Sequence, residues 1–144
     1  KPKKATRIAE NTMLIEEFIL YSCETNGAVE FANPPLNKKA VFHGHCHQKA
    51  LTSTSAAIEI LQMVPGLETE EINSGCCGMA GSFGFYKDHY QTSIQIGEIS
   101  LLPAVRQEKE DVLVISEGVS CRQQIMQGTN RKAHHLVEVL AEYL

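Results

Sequence analysis

Several things are missing from these 144 residues, and each absence removes a class of function. Lys and Arg, 13 in all against 17 acidic residues, are scattered rather than clustered; the net charge is −4 and the pI near 5.9. The basic footprint that a nucleic-acid binder needs is therefore lacking. No apolar run approaches the roughly 20 residues that span a bilayer, and no signal peptide opens the chain. There is no internal repeat and no low-complexity tract. No Ser-His-Asp order and no paired-carboxylate site emerges. The series Gly78-x-x-Gly81-x-x-Gly84 lacks the Gly-x-Gly start of a dinucleotide loop. An even cysteine count is also missing: five, two of them adjacent, do not suit a secreted disulfide framework. They suit an intracellular protein whose thiols serve metal or redox chemistry. What is present is the 43% hydrophobic, 21% charged profile of a globular domain, with one domain expected over residues 1–144. Its first residue, Lys1, is not Met, which suggests a fragment of a longer protein.

The order of elements predicts an α/β fold. Ile8 to Cys23 places Leu14, Ile15, Phe18, Ile19 and Ser22 on one helical face, with Glu10, Glu16, Glu17 and Glu24 mostly away from it. Asn26-Gly27 ends this helix, and Asn33-Pro34-Pro35 forces an extended connection, so residues 1–38 read as helix and linker before a core of 39–144. Lys39–His43 reads as a first buried strand. Ala50–Met63 reads as a helix with Leu51, Thr54, Ile58 and Leu61 inward, stopped by Pro65-Gly66. A weak strand is expected at Glu70–Asn73, a helix at Phe83–Leu102 that Pro103 ends or kinks, and the clearest strand at Asp111–Ser116. A short helix near Cys121 and a last one at Leu136–Leu144 follow. Strands alternating with helices imply a parallel sheet of about four strands, helices on both faces, and right-handed crossovers.

On this map Cys46 lies just past the first strand, Cys76 and Cys77 just past the second, and Cys121 just past the third. The C-terminal ends of parallel strands open onto one edge, where ligands of such folds bind. Three strand–helix turns thus aim four thiols at one place. Helix N-termini lower thiol pKa values and stabilise negative sulfur, and the glycines around Cys76-Cys77 let the backbone approach a bulky inorganic group. Cys46, Cys76, Cys77 and Cys121 are therefore the expected metal or cluster ligands. They suffice for a [4Fe–4S] centre or for tetrahedral zinc. A thiol-only redox sensor, with Cys76-Cys77 as a strained vicinal disulfide, is the third reading. Cys23, on the first helix, reads as a small buried hydrophobe.

His43, His45 and His47 alternate, so a continuing strand would put them on one face and Cys46 on the other. Once the strand ends, His45 and His47 are the better candidates to bind metal or to hydrogen-bond its sulfurs. His134 and His135 are placed to approach the same edge. His89 reads as a surface residue, and Lys49 and Arg122 as cations that offset the charge of a thiolate centre.

Three blocks carry a family resemblance: HGHCHQK from His43 to Lys49, GCCGMAGSFG from Gly75 to Gly84, and GVSCRQQI from Gly118 to Ile125. Between Val41 and Val139 the chain resembles the CCG-type cysteine-rich domain, known from heterodisulfide reductase (its B subunit) and from glycolate oxidase and anaerobic glycerol-3-phosphate dehydrogenase iron–sulfur subunits. It also occurs in lactate-utilisation proteins. The wording from Ser120 to Ile125 is most similar to the C-terminal iron–sulfur part of fused FAD-linked dehydrogenases of the lactate/glycolate type. The resemblance implies an oxidoreductase component that carries electrons from FAD, bound in a missing part, through an iron–sulfur cluster to a quinone or cytochrome. The setting would be cytoplasmic or peripheral at the inner membrane, and the partner a flavin dehydrogenase domain. One position departs: the family pattern ends in Cys-x-x-Cys, and here Gln124 stands last. Four thiols remain, without the five that support a noncubane cluster, and zinc-binding members make zinc the alternative.

Overall fold

A computed structural model describes residues 2–27, 29–31, 35 and 37–143. Four parallel strands form its sheet in the order β2-β1-β3-β4. These are β1 (Lys38–His43), β2 (Leu67–Glu71), β3 (Leu113–Ser116) and β4 (Ala133–His134). The helices are α1 (Pro2–Ala9), α2 (Ile15–Asn26), α3 (Cys46–Leu51), α4 (Ser55–Met63), α5 (Lys87–Glu98), α6 (Leu101–Gln107), α7 (Val119–Thr129) and α8 (Leu136–Tyr143). A short 3-10 turn at Phe83–Phe85 precedes α5. The expected parallel α/β sheet is present, and alternation along its central strands splits the core in two. Ala40, Phe42 and Ile115 face α4 and α8 through Ala57, Ile60, Leu61, Leu136, Val139 and Leu140. Val41 and Val114 face α6 and α7 through Leu101, Val105, Cys121 and Ile125. Helices thus cover both faces, which is why β1 and β3 are apolar without alternation.

Several boundaries differ from the sequence expectation, each for a local reason. The second strand is Leu67–Glu71 rather than Glu70–Asn73. It is an edge strand, so it needs no apolar run; Ile72 extends its ladder by donating N–H to the Phe42 carbonyl at 2.8 Å. The helix expected over 50–63 starts earlier, at Cys46, and breaks at residues 52–54, where Ser53 takes φ 140°. Leu51, expected inward, ends α3 at 82% exposure. The helix expected over 83–102 becomes α5 and α6. Pro103 does not end it but sits in the first turn of α6, where its missing N–H leaves no bond unmade. The first helix divides into α1 and α2; α2 ends at Asn26 as expected, with Gly27 at φ +98°. Asn33 and Pro34 of the expected extended connection, and the last residue of the expected final helix, lie outside the described residues. Among the described residues no helix is long and apolar enough to cross a membrane.

Candidate metal centre

All three central turns open at the C-terminal edge of the sheet. β1 ends at His43, and His45 caps α3, whose first residue is Cys46. β3 ends at Ser116, and Gly118 caps α7, which carries Cys121 in its first turn. Cys76 and Cys77 do not open a helix as expected. They sit in a loop between β2 and the 3-10 turn, with Gly78 at φ +97° and Gly81 at φ +68°. That loop is held tightly from below. A Cβ on Gly78 would collide with the Ser93 carbonyl of α5, and one on Gly97 would come within 3.0 Å of the Cys77 carbonyl. Helix α5 therefore supports the loop backbone directly.

Four thiols meet here as two pairs. Cys77 and Cys121, both buried, share a hydrogen bond. The more exposed Cys46 and Cys76 share another. Backbone N–H groups face the sulfurs: Gly78 donates to Cys76 Sγ at 3.3 Å, and the Met79 amide favours the Cys77 thiolate. The Cys121 S–H bond, then His43 and the Met79 amide, draw the Cys77 thiol down to about 4. Cys121, giving its hydrogen to Cys77 and buried, is pushed up strongly, and burial followed by Cys76 raises Cys46. The inner pair thus holds a ready thiolate against a protonated neighbour, and an electrophilic metal would displace that proton.

The histidine that stands with two of the thiols is His43. Ligand atoms of His43, Cys77 and Cys121 lie within 4.8 Å of one another, and no other such group of three occurs among the described residues. His43 is 1% exposed, and its Nδ1 meets Ser74 Oγ at 2.8 Å, which fixes the ring and leaves Nε2 to face the thiols. Sequence reasoning passed over this residue because it ends a strand; the signal was its place as the last buried residue of β1. His45 instead packs beside Gly118, where a Cβ would come 2.5 Å from its ring and 2.9 Å from Cys121 Sγ. Its Nδ1 accepts from the His47 N–H at 3.3 Å. Gly118 is thus a cradle with no room for a side chain between imidazole and thiol.

Gln124, where the resemblance leads one to look for a fifth thiol, is buried at 1% exposure one turn below Cys121. Its Nε2 donates to Ser93 O at 3.0 Å and to Ser93 Oγ at 3.1 Å, close under Gly78. The amide ties α7 to α5 beneath the loop. The two cations are engaged rather than solvated: Lys49 donates to Ser74 O at 3.0 Å, and Arg122 to Ser116 O and Glu117 O at 2.9 and 2.7 Å. Cys23 stands apart, lining an apolar cavity with Phe18, Ile19 and Phe31. His89 is exposed and stacks on Phe83, with ring centroids 4.2 Å apart.

A buried polar network that the sequence did not suggest flanks the centre. Glu16, expected on the outer face of its helix, is only 2% exposed and accepts from Gln48 Nε2 at 2.7 Å. Glu117 hydrogen-bonds to both, and burial followed by the Glu16 charge raises it to about 7. With His45, His47 and His135 they line a cavity of about 360 Å³.

No family model matches the chain, and no solved structure matches it. Among curated proteins it is 38% identical over 112 residues to the C subunit of anaerobic glycerol-3-phosphate dehydrogenase from Escherichia coli (strain K12), covering 76% of this chain and 27% of that protein. It is 26% identical over 135 residues to D-2-hydroxyglutarate dehydrogenase of the same strain, covering 93% of this chain and 13% of that protein. Lactate utilization protein A of Bacillus licheniformis is 33% identical over 84 residues, covering 56% of this chain and 34% of that protein. The chain spans about a quarter of the length of the first of these relatives. Over that span it is similar to part of one dehydrogenase, of one component of another, and of a lactate-utilization protein.

Proposed function

We propose that this chain is an iron–sulfur electron-transfer domain of the CCG type, working within an FAD-linked oxidoreductase that acts on a 2-hydroxy acid such as lactate or glycolate. One observation carries the reading: Cys77 and Cys121 lie with His43 inside 4.8 Å, Cys46 and Cys76 interact with that pair from neighbouring turns, and one thiol is already drawn down to about 4. The donor set fits a [4Fe–4S] centre, because soft thiolates bind iron and amide donors to sulfur compensate the cluster's charge. Cys46, Cys76, Cys77 and Cys121 would hold it, and when bound it would accept and pass on single electrons. The chain's own residues do the rest. Gly78 and Met79 offer N–H groups to sulfur, His43 is oriented by Ser74, and α5 braces the loop through Gly97. Electrons would come from a flavin domain of the same or a partner chain, and a quinone or cytochrome would receive them, in the cytoplasm or peripherally at the inner membrane.

A second reading has its own support. His43, Cys77 and Cys121 form a mixed imidazole–thiolate group, and such sets, completed by one more thiol, hold structural zinc. In that case the domain would serve assembly. Reconstitution with iron and sulfide without oxygen separates the two. A brown protein that dithionite bleaches supports electron transfer, whereas a colourless product holding stoichiometric zinc under those conditions sinks it.

A further inference from the structure

The Glu16–Gln48–Glu117 network has no part in holding the thiols, yet Gln48 stands two residues after Cys46 and Glu117 four before Cys121. A carboxylate as buried as Glu16 normally has a cation against it. Here its nearest partner is the Gln48 amide at 2.7 Å, and its neighbour Glu117 is a second acid. The other groups facing the pair are known element by element. From α3 come His45 and His47; from the turn after β4 comes His135, whose N–H is capped by Glu138; from α7 comes Arg122, which spends Nη1 on two carbonyls. Burial followed by His47 lowers His45, and burial followed by Arg122 lowers His135, so both rings are neutral near pH 7. Two acids this close in a buried setting cannot both ionise cheaply, so the second proton is given up only near neutral pH, by Glu117. The open cavity beside them gives that proton a route from solvent.

The network and the thiols meet at one glycine. Gly118, next in sequence to Glu117, packs against both the His45 ring and Cys121 Sγ. An electron added to a centre on Cys121 therefore adds negative charge across Gly118 from Glu117, and in low-dielectric protein like charges are weakly screened. We propose that the Glu16–Glu117 pair is a proton-binding site that takes up one proton from the cavity when the thiol-held redox centre gains one electron. The inference rests on the iron–sulfur reading. Its balance is simple: the electron comes from a reductant such as dithionite, the proton from solvent, and Glu117 becomes the carboxylic acid.

The test is a redox titration of the whole chain, reconstituted with iron and sulfide, on both sides of neutrality. The potential should fall as pH rises through about 7, by about 59 mV in total for each tenfold gain in proton affinity on reduction. Glu117→Gln, which keeps shape and hydrogen bonding, should abolish the fall; Glu16→Gln should move it to lower pH; His135→Asn should leave it in place. Reduced-minus-oxidised infrared spectra should show a protonated carboxyl band in the parent chain that Glu117→Gln lacks. A pH-independent potential, or an unchanged slope and band in Glu117→Gln, overturns this inference alone. A chain that forms no cluster overturns the iron–sulfur reading and this inference with it.

Discussion

Three glycines in the cysteine loop offer a graded test of how that loop is built. Gly75 has nothing within 4 Å of where a Cβ would sit, and its φ is not positive, so Gly75→Ala should be neutral or add about 0.4–1 kcal/mol through the unfolded chain. Gly81 has the same open space but stands at φ +68°, where an L side chain costs roughly 1–2 kcal/mol. Gly78 combines φ +97° with a collision: its added Cβ meets the carbonyl of Ser93 in mid-helix, a backbone group that cannot swing aside. Relieving it means lifting the loop off α5 or displacing Ser93 together with the two bonds it accepts from Gln124. Conformational cost plus overpacking against fixed backbone comes to about 3–5 kcal/mol. Urea denaturation reads this directly, since with a slope of roughly 1–3 kcal/mol per molar the Gly78→Ala midpoint should drop by more than about 1 M. The Gly75→Ala midpoint should stay put and Gly81→Ala fall between. Equal midpoints for Gly78→Ala and Gly75→Ala would refute the claim that α5 clamps the loop.

Other expectations follow from single residues. Gln124→Ala should destabilise by about 1–3 kcal/mol, because it removes two buried hydrogen bonds to Ser93 and leaves space beneath the loop; thermal or urea unfolding reads it. In the metal-free protein, thiolate absorbance in the ultraviolet should persist at mildly acidic pH and vanish only near pH 4, and both Cys77→Ala and Cys121→Ala should remove that acid-stable part. Metal content after reconstitution should be unchanged in Cys23→Ala and lost in Cys77→Ala; equal loss from both would mean the ligand set is drawn wrongly. Glu117 is raised in the folded state, so the fold favours its protonated form and should lose stability as pH climbs from about 4.5 to about 7. After allowing for partial exposure, the loss is roughly 1–2 kcal/mol, and unfolding of Glu117→Gln against pH should lack it.

The central strands were legible in the sequence because burial on both faces demands unbroken apolar runs, and Val41, Phe42, Val114 and Ile115 supply them. The edges were not. β2 reads Leu-Glu-Thr-Glu-Glu and β4 has two residues, and an edge strand half exposed to solvent carries little pattern. The helix breaks at Ser53 and Ser100 were hidden for a different reason. Neither falls on a glycine or proline, and at both places packing onto the sheet overrides local propensity. The turns that carry the cysteines survived these shifts. A boundary error of a few residues moves a helix end but not the strand end that sets the sheet edge.

Within the site, what could be read was the thiols, and what could not was the polar residues around them. Glu16, Gln48 and Gln124 look like surface residues when scored by hydrophobic period, because the period assumes that a polar side chain faces water. Each is buried, and each hydrogen-bonds to a residue distant in sequence, Glu16 with Gln48 and Gln124 with Ser93, while Oε1 of both glutamines is left without a partner. Such pairs cost desolvation that a leucine in the same place would not, so a fold selected for stability alone has little reason to keep them. These three, with His43 and Ser74, lie at the sheet edge that also holds Cys46, Cys76, Cys77 and Cys121. Mismatch between helical period and actual burial therefore marks the same edge as the cysteines do, by an independent physical route.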